Sequence, residues 1–235
     1  MESLQLHPIG YLHSPFREKF GIPRQPGLVP HAISRLILLP EFASDACVEG
    51  ITDFSHLWLI FAFHATAEQG WQPKVRPPRL GGNQFTGVFS TRSMFRPNPI
   101  GLSVVELLGI EKGPNGNELI LRGADLLDAT PVLDIKPYVP YSDSIAEARA
   151  GFAAAAPELL KVEWSAAALT HAQQLALSDN MRYLVEEVLA QDPRPAYRAA
   201  QQDEREYGVW LENINVRFCV TPDGVQILAL EEKIN

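Results

Sequence analysis

The sequence predicts a mainly β protein, a small N-terminal β-barrel of non-Rossmann type followed by a small α+β unit. Three observations predict it. Short apolar runs of strand length are separated by turn formers, with 16 Gly and 19 Pro among 235 residues. No Gly-x-Gly-x-x-Gly follows any of these runs, so the dinucleotide-binding fingerprint is absent. Near residue 145 the texture changes from strand-like runs to Ala-rich and helical ones. We therefore expect a first unit at 1–147 and a second at 148–235. Many short strands with little helix tend to close into a barrel, because closure removes open sheet edges.

The elements follow in order. Ile9–His13, Ile33–Leu39 and Leu57–Phe63 read as strands. The last is apolar at every position, which predicts a central strand covered on both sides. Ser103–Glu111 and Glu118–Arg122 flank Pro114-Asn115-Gly116-Asn117, where Asn-Gly predicts a hairpin turn because both residues tolerate positive φ. Asp134–Tyr138 is a further short strand. Ile145–Pro157 reads as a linker or short helix. Ala166–Leu177 and Asn180–Gln191 read as helices, the second ending before Asp192-Pro193. A final hairpin closes the chain: Ile214, Val216, Phe218 and Val220 alternate on one face, and Asp223-Gly224 turns into Val225–Leu230.

Composition narrows the function classes. With 46% hydrophobic and 20% charged residues the chain is of ordinary globular type. Met1–Leu12 shows no basic segment ahead of an apolar stretch, and no run approaches the roughly 20 apolar residues that span a bilayer. A cytoplasmic protein without membrane partners is expected, with Cys47 and Cys219 as free thiols. The net charge of −8 is uneven. Residues 1–100 hold 9 Lys and Arg against 7 Asp and Glu, whereas residues 101–235 hold 11 against 21. Local basic clusters decide phosphate binding, so this acidic chain retains a route to RNA through its first half. A Walker A loop, zinc-ligand spacings and a Gly-x-Ser-x-Gly elbow are all missing, and no metal is expected.

Three polar, irregular segments offer chemistry. Phe20–Val29 (FGIPRQPGLV) presents Arg24 and Gln25 on a turn stiffened by Pro23, Pro26 and Gly27. Gly87–Ser103 (GVFSTRSMFRPNPIGLS) carries Arg92 and Arg96 on a proline-restricted loop. Asp125–Tyr141 (DLLDATPVLDIKPYVPY) offers Asp125, Asp128 and Asp134 beside Thr130 and Lys136. Each segment also has a plain structural reading, as a barrel closure, a solvated arginine or a turn-capping aspartate.

These segments, with FSHLWLIFAFH, VRPPRLGG and DATPVLDIKPYVPYSDS, resemble the successive signatures of the TsaA-like domain. DPRPAYR at 192–198, YGVWL at 207–211 and NVRFCV at 215–220 resemble the C-terminal part of the bacterial TrmO members of that family. The resemblance covers nearly the whole chain in order. It implies a β-barrel, S-adenosyl-L-methionine as cofactor, and methyl transfer to N6 of threonylcarbamoyl-adenosine beside a tRNA anticodon. It further implies a homodimer with the cofactor near the subunit interface; Phe89, Met94 and Phe95 are candidate interface residues, with core packing the first expectation for Phe89. Carried over position by position, the cofactor contacts fall on Gln25, Pro26, Gly27, His64, Ala65, Arg92, Leu102, Asp125, Leu126, Leu127 and Asp128. Arg92 suits the methionyl carboxylate, Asp125 or Asp128 the ammonium or ribose hydroxyls, and Leu102 with the Leu126–Leu127 backbone the adenine. The catalytic residues stay unassigned, with Asp128, Asp134 and Tyr138 as candidate bases. Arg76, Arg79, Arg96, Arg194 and Arg198, joined by Lys19, Arg24, Lys74 and Arg217, are expected to form one basic path for the anticodon stem–loop. Ala129 stands where the family usually has Gly, which argues against a left-handed backbone there. The other readings are a non-catalytic S-adenosylmethionine- or RNA-binding module and a metal-dependent hydrolase built on Asp125, Asp128 and Asp134.

Overall fold

The computed structural model describes residues 4–195 and 203–233. Its strands are β1 (Gly10–His13), β2 (Ile33–Leu38), β3 (His56–Ala62), β4 (Lys74–Val75), β5 (Thr86–Gly87), β6 (Ile100–Gly113), β7 (Gly116–Arg122) and β8 (Thr130–Pro137) in the first half. The second half holds β9 (Val162–Trp164), β10 (Asp203–Leu211), β11 (Ile214–Thr221) and β12 (Gly224–Glu232). Two single-turn helices, α1 (Asp45–Val48) and α2 (Pro140–Asp143), precede the longer α3 (Ala166–Gln174) and α4 (Asp179–Ala190). None of the described helices is long and apolar enough to cross a membrane.

Six strands close a barrel in the order β1-β2-β7-β6-β3-β8, with every pairing antiparallel. The period-2 alternation of side chains fills it. Leu12, Leu36, Leu38, Leu57, Leu59, Phe61, Val105, Leu119, Leu121 and Val132 point inward and are buried. Gly101 leaves space for the inward Phe61 ring, since a Cβ there would lie 2.2 Å from it.

The barrel corrects two sequence expectations. β3 is not covered on both faces: Leu57, Leu59 and Phe61 are buried, while Trp58, Ile60 and Ala62 face outward and are only half-buried. A closed antiparallel barrel covers only the inner face of its strands. The β6–β7 turn is Pro114-Asn115, because Gly113 pairs with Gly116. Proline has no N–H to pair with Asn117 beside an Asn-Gly turn, and its φ near −65° suits the first central position instead, so the turn moves back one residue. The same shift makes Pro222-Asp223 the β11–β12 turn, and Gly116 and Gly224 take the positive φ values, 119° and 140°.

The terminal hairpin grows into a four-stranded sheet, β10-β11-β12-β9, in which β9 joins parallel to β12. The charged start of β10 and the three-residue length of β9 hide both strands from a periodicity reading. Ser165 and Ser178 cap α3 and α4, accepting bonds from the N–H groups of Ala168 and Met181. α4 buries Met181, Leu184, Val185, Val188 and Leu189, one face at helical spacing, against this sheet. The same core contains Phe16, Val29 and Ala32 from the β1–β2 connection. The first half of the chain therefore supplies part of the second core.

The strand directions decide where chemistry can gather. β1, β3 and β7 finish at one end of the barrel, and β2, β6 and β8 start there. That end carries the connections 14–32, 63–99 and 123–129.

Candidate functional site

Those three connections hold nearly all the candidate cofactor residues. Gln25, Pro26 and Gly27 lie on the first, His64, Ala65 and Arg92 on the second, and Asp125 to Asp128 on the third, with Leu102 two residues into β6. Pieces distant in sequence meet here because consecutive strands alternate in direction.

The contacts are specific. Arg92 donates from Nη1 to Oε1 of Gln25, joining the first two connections. The Gly27 N–H donates to the Gly123 carbonyl at 2.8 Å, joining the first to the third. Gly27 is in the left-handed region at φ 75°, and its Cα lies 3.2 Å from where a Cβ on Gly123 would sit. Asp125 accepts a 2.6 Å bond from the Ser103 hydroxyl. Burial pushes its carboxyl up to about 6, opposed by the Ser103 bond, a bond from its own backbone and the nearby charge of Arg92. Leu102 is 54% exposed on the outer face of β6, across from Ile60. His64 and Ala65 are exposed and begin the turn that leaves β3. The result is a shelf with a cation, a desolvated carboxyl, an amide and an apolar edge.

Ser103 was not singled out by sequence reasoning. Its signal was alternation: an outward Leu102 makes Ser103 inward, and a serine on a barrel's inner face needs a buried partner.

Other candidates are placed elsewhere. The Leu126 side chain is 2% exposed and closes the barrel end, so only its backbone can meet a ligand; its carbonyl accepts from Ser14 Oγ at 2.7 Å. Leu127 is half-buried, with its carbonyl accepting from Thr130 Oγ1 at 2.6 Å. The Asp128 carboxylate turns toward β1, where it accepts from Ser14 N–H at 3.0 Å and pairs with Arg17. Asp134 lies halfway along β8, paired with Lys136 at 2.8 Å. Tyr138 packs on Trp58 at 5.8 Å, at the opposite end of the barrel. At ~3.3 Å per residue, β8 sets it roughly 25 Å from the Asp125–Asp128 connection of the same chain. Within one chain Asp134 and Tyr138 therefore stand apart from this connection. The three aspartates diverge rather than cluster. Among the described residues no group of three His, Cys, Asp or Glu is arranged to hold a metal.

The expected basic path is only partly present. Lys19, Arg24, Lys74, Arg76 and Arg79 are exposed on the first two connections, and Arg96 is half-buried there. Arg194 is corrected: its side chain is 3% exposed and is held by Asp192 through Nε and Nη2, both at 2.8 Å. Arg217 is tied to Glu206 at 2.7 Å and to Glu231. Arg198 lies outside the described residues. Phe89 does not pack in a core: it is 77% exposed, whereas Met94 and Phe95 are half-buried.

Comparison with known proteins gives consistent matches. The family model for the tRNA-methyltransferase O N-terminal domain matches residues 11–144, and that for the TrmO C-terminal domain matches 157–233. A tRNA (adenine(37)-N6)-methyltransferase of Escherichia coli K12 is 46% identical, covering 99% of this chain and 100% of its own. A Pseudomonas aeruginosa protein named putative S-adenosylmethionine-dependent methyltransferase RcsF is 50% identical, covering 94% and 95%. Among solved structures, TrmO from P. aeruginosa superposes with a TM-score of 0.82 at 43% identity, covering 98% of both chains.

Proposed function

The chain belongs to the tRNA-methyltransferase O family, and from that premise we propose that it methylates N6 of threonylcarbamoyl-adenosine beside the anticodon of tRNA, as a cytoplasmic homodimer. It is a methyltransferase that uses S-adenosyl-L-methionine. The observation that carries the site assignment is the meeting of Gln25, Arg92, Ser103 and Asp125 at one barrel end. On this reading residues 1–147 form the cofactor-binding barrel, and residues 148–235 brace its β1–β2 connection.

The residues present fit the cofactor. A largely buried carboxyl with a raised pKa is a site that a cationic or hydroxyl-bearing ligand relieves, and Asp125 is that group. Arg92 takes the methionyl carboxylate, with Gln25 holding the guanidinium in place. Leu102 supplies an apolar edge for the adenine, and the Leu126–Leu127 backbone lies beside Asp125. His64 and Ala65 begin the connection that carries Arg92. When bound, S-adenosylmethionine supplies an electrophilic methyl group.

The chain's part in the reaction is alignment. Holding the acceptor nitrogen in line with the methyl group converts an encounter into an intramolecular step, a large share of the rate for a direct displacement. Asp128 is the one candidate base left at this barrel end. Its carboxylate is engaged by Arg17 and by the Ser14 N–H, so we assign it to holding the 123–129 connection.

The test is incubation with labelled S-adenosylmethionine and two tRNA pools, one bearing threonylcarbamoyl-adenosine and one lacking it, followed by nucleoside analysis. Label in N6-methylated threonylcarbamoyl-adenosine from the first pool alone is expected. Equal labelling of both pools overturns the substrate, and cofactor binding with no transfer to either favours a sensing module. Light scattering is expected to give twice the 26.1 kDa chain mass.

A further inference from the structure

The 63–99 connection has a character that cofactor binding, through Arg92, uses only in part. It carries Lys74, Arg76, Arg79, Arg92 and Arg96 against the single acid Glu68. Large aromatic rings stand out from it into solvent: Trp71 is 55% exposed, Phe85 53% and Phe89 77%. An isolated exposed aromatic is ordinary, but this connection carries three, and Trp71 and Phe89 both lie beside Arg96.

The rings are paired with cations. The guanidinium of Arg76 sits 4.3 Å from the centroid of Phe85, and that of Arg96 5.8 Å from Phe89. Local structure fixes both pairs. Val75 of β4 pairs with Thr86 of β5, so Arg76 and Phe85 leave that ladder side by side. Arg96 donates to the carbonyls of Thr91 at 2.7 Å and Val88 at 3.3 Å, holding its plane near Phe89. Among the described residues neither arginine has a carboxylate partner, so both keep their charge for an anion. Trp71 lines a small recess of about 140 Å³ with Met94, Arg96, Pro97 and Pro99.

We propose that this connection is a stacking platform for the unpaired nucleotides of RNA, with Trp71, Phe85 and Phe89 taking base faces and Arg76 and Arg96 the adjoining phosphates. The proposal rests on the tRNA reading above and adds which residues grip the loop. Bases splayed from a single-stranded loop are held by aromatic and guanidinium planes, and phosphates need unpaired cations. The patch supplies both, and it lies on the same connection as Arg92. A second copy of this chain is the rival occupant. The charge favours RNA, because five cations against one acid attract a polyanion; were the patch a contact between copies, substituting Phe89 would change the mass.

The experiment measures affinity for an anticodon stem–loop RNA, S-adenosylmethionine affinity and light-scattering mass for the wild type and for Trp71→Ala, Phe85→Leu and Phe89→Leu. Leucine keeps the apolar volume that a protein interface needs and removes the flat face that a base needs. Each substitution is expected to weaken RNA binding roughly 5- to 150-fold, with the salt dependence, the cofactor affinity and the mass unchanged. Arg76→Gln should instead flatten the salt dependence. If all three aromatic variants bind RNA like the wild type, or if they change the mass, the platform assignment is overturned. Failure of the wild type to bind the RNA at all refutes the tRNA reading instead.

Discussion

Asp125 sets the pH behaviour of the site. Burial raises its carboxyl to about 6, so the fold prefers the protonated form. Its contribution to stability is therefore full below the ordinary value of 3.8 and is lost as pH rises through about 6. A ligand that donates hydrogen bonds or brings positive charge favours the ionised form. S-adenosylmethionine affinity is accordingly expected to rise between about pH 5 and pH 7, and Asp125→Asn to flatten the rise. Calorimetry across that range checks this, and a flat wild-type profile removes Asp125 from the site. Arg92→Ala should weaken binding roughly 10- to 150-fold at any pH in that range, the loss of one charge-assisted bond. Ala129 shows local strain of another kind. The sequence argued against a left-handed backbone at an alanine, yet Ala129 has φ 60°. The Asp128 N–H bond to Phe16 and the Thr130 Oγ1 bond to Leu127 fix the chain on both sides of it. Relief of the strain outweighs the extra unfolded-state freedom of glycine, so Ala129→Gly should add about 0.5–1 kcal/mol. A denaturant midpoint that fails to rise, at unchanged slope, contradicts this.

At the scale of elements, α4 acts on the β1–β2 connection. Glu187 accepts from the backbone N–H of His31 at 2.9 Å and lies 2.6 Å from its Nδ1. Tyr183 stacks on the imidazole with ring centroids 4.7 Å apart, and Gln191 donates to the Leu28 carbonyl at 3.4 Å. With Val29 and Ala32 buried in the second core, the backbone just after Gln25-Pro26-Gly27 is pinned. Glu187→Ala should cost about 1–2 kcal/mol of stability and loosen the cofactor site, while Glu187→Gln should keep most of both. Thermal unfolding and cofactor titration of the pair check it; wild-type affinity in Glu187→Ala would show that the brace does not reach Gln25. None of this brace was legible in the sequence, because it joins residues about 150 apart whose types suit any exposed helix. What was legible had local causes. The β1, β2, β3 and β7 runs, the two longer helices and the polar segments each announce themselves by period or by Gly and Pro. Their meeting at one barrel end follows from strand order, and only the resemblance grouped them. The errors also have local causes. Proline displaced both turns, and Arg194, an ordinary basic residue in sequence, folds back onto Asp192 two positions away.

Across the whole molecule, charge is sorted along the barrel axis. The connections 14–32, 63–99 and 123–129 at the site end carry Arg17, Lys19, Arg24, Lys74, Arg76, Arg79, Arg92 and Arg96 against Glu18, Glu68, Asp125 and Asp128. The 39–55 connection at the other end has Glu41, Asp45, Glu49 and Asp53 and no Lys or Arg. Lys19, Arg24, Lys74, Arg76, Arg79 and Arg96 form no ion pair among the described residues, whereas Lys112, near the acidic end, is tied to Asp45. A net charge of −8 is thus compatible with an RNA partner, because the acidic end repels the polyanion and turns the basic end toward it. If phosphates bind at that end, replacing Lys74 or Arg79 by Gln should weaken RNA binding and reduce its dependence on log salt by about 0.7–0.9 for each phosphate no longer neutralised. Lys112→Gln, the control at the acidic end, should leave both affinity and slope unaltered. Neutralising Glu49 and Asp53 together should speed association at low salt without changing the slope, since it alters steering and not phosphate binding. Titrations over a range of salt, with stopped-flow rates for the last variant, give all three results. Equal weakening by Lys112→Gln and Lys74→Gln would mean that the RNA senses only total charge, and the polarity of the barrel would then have no part in how the substrate is presented to the site.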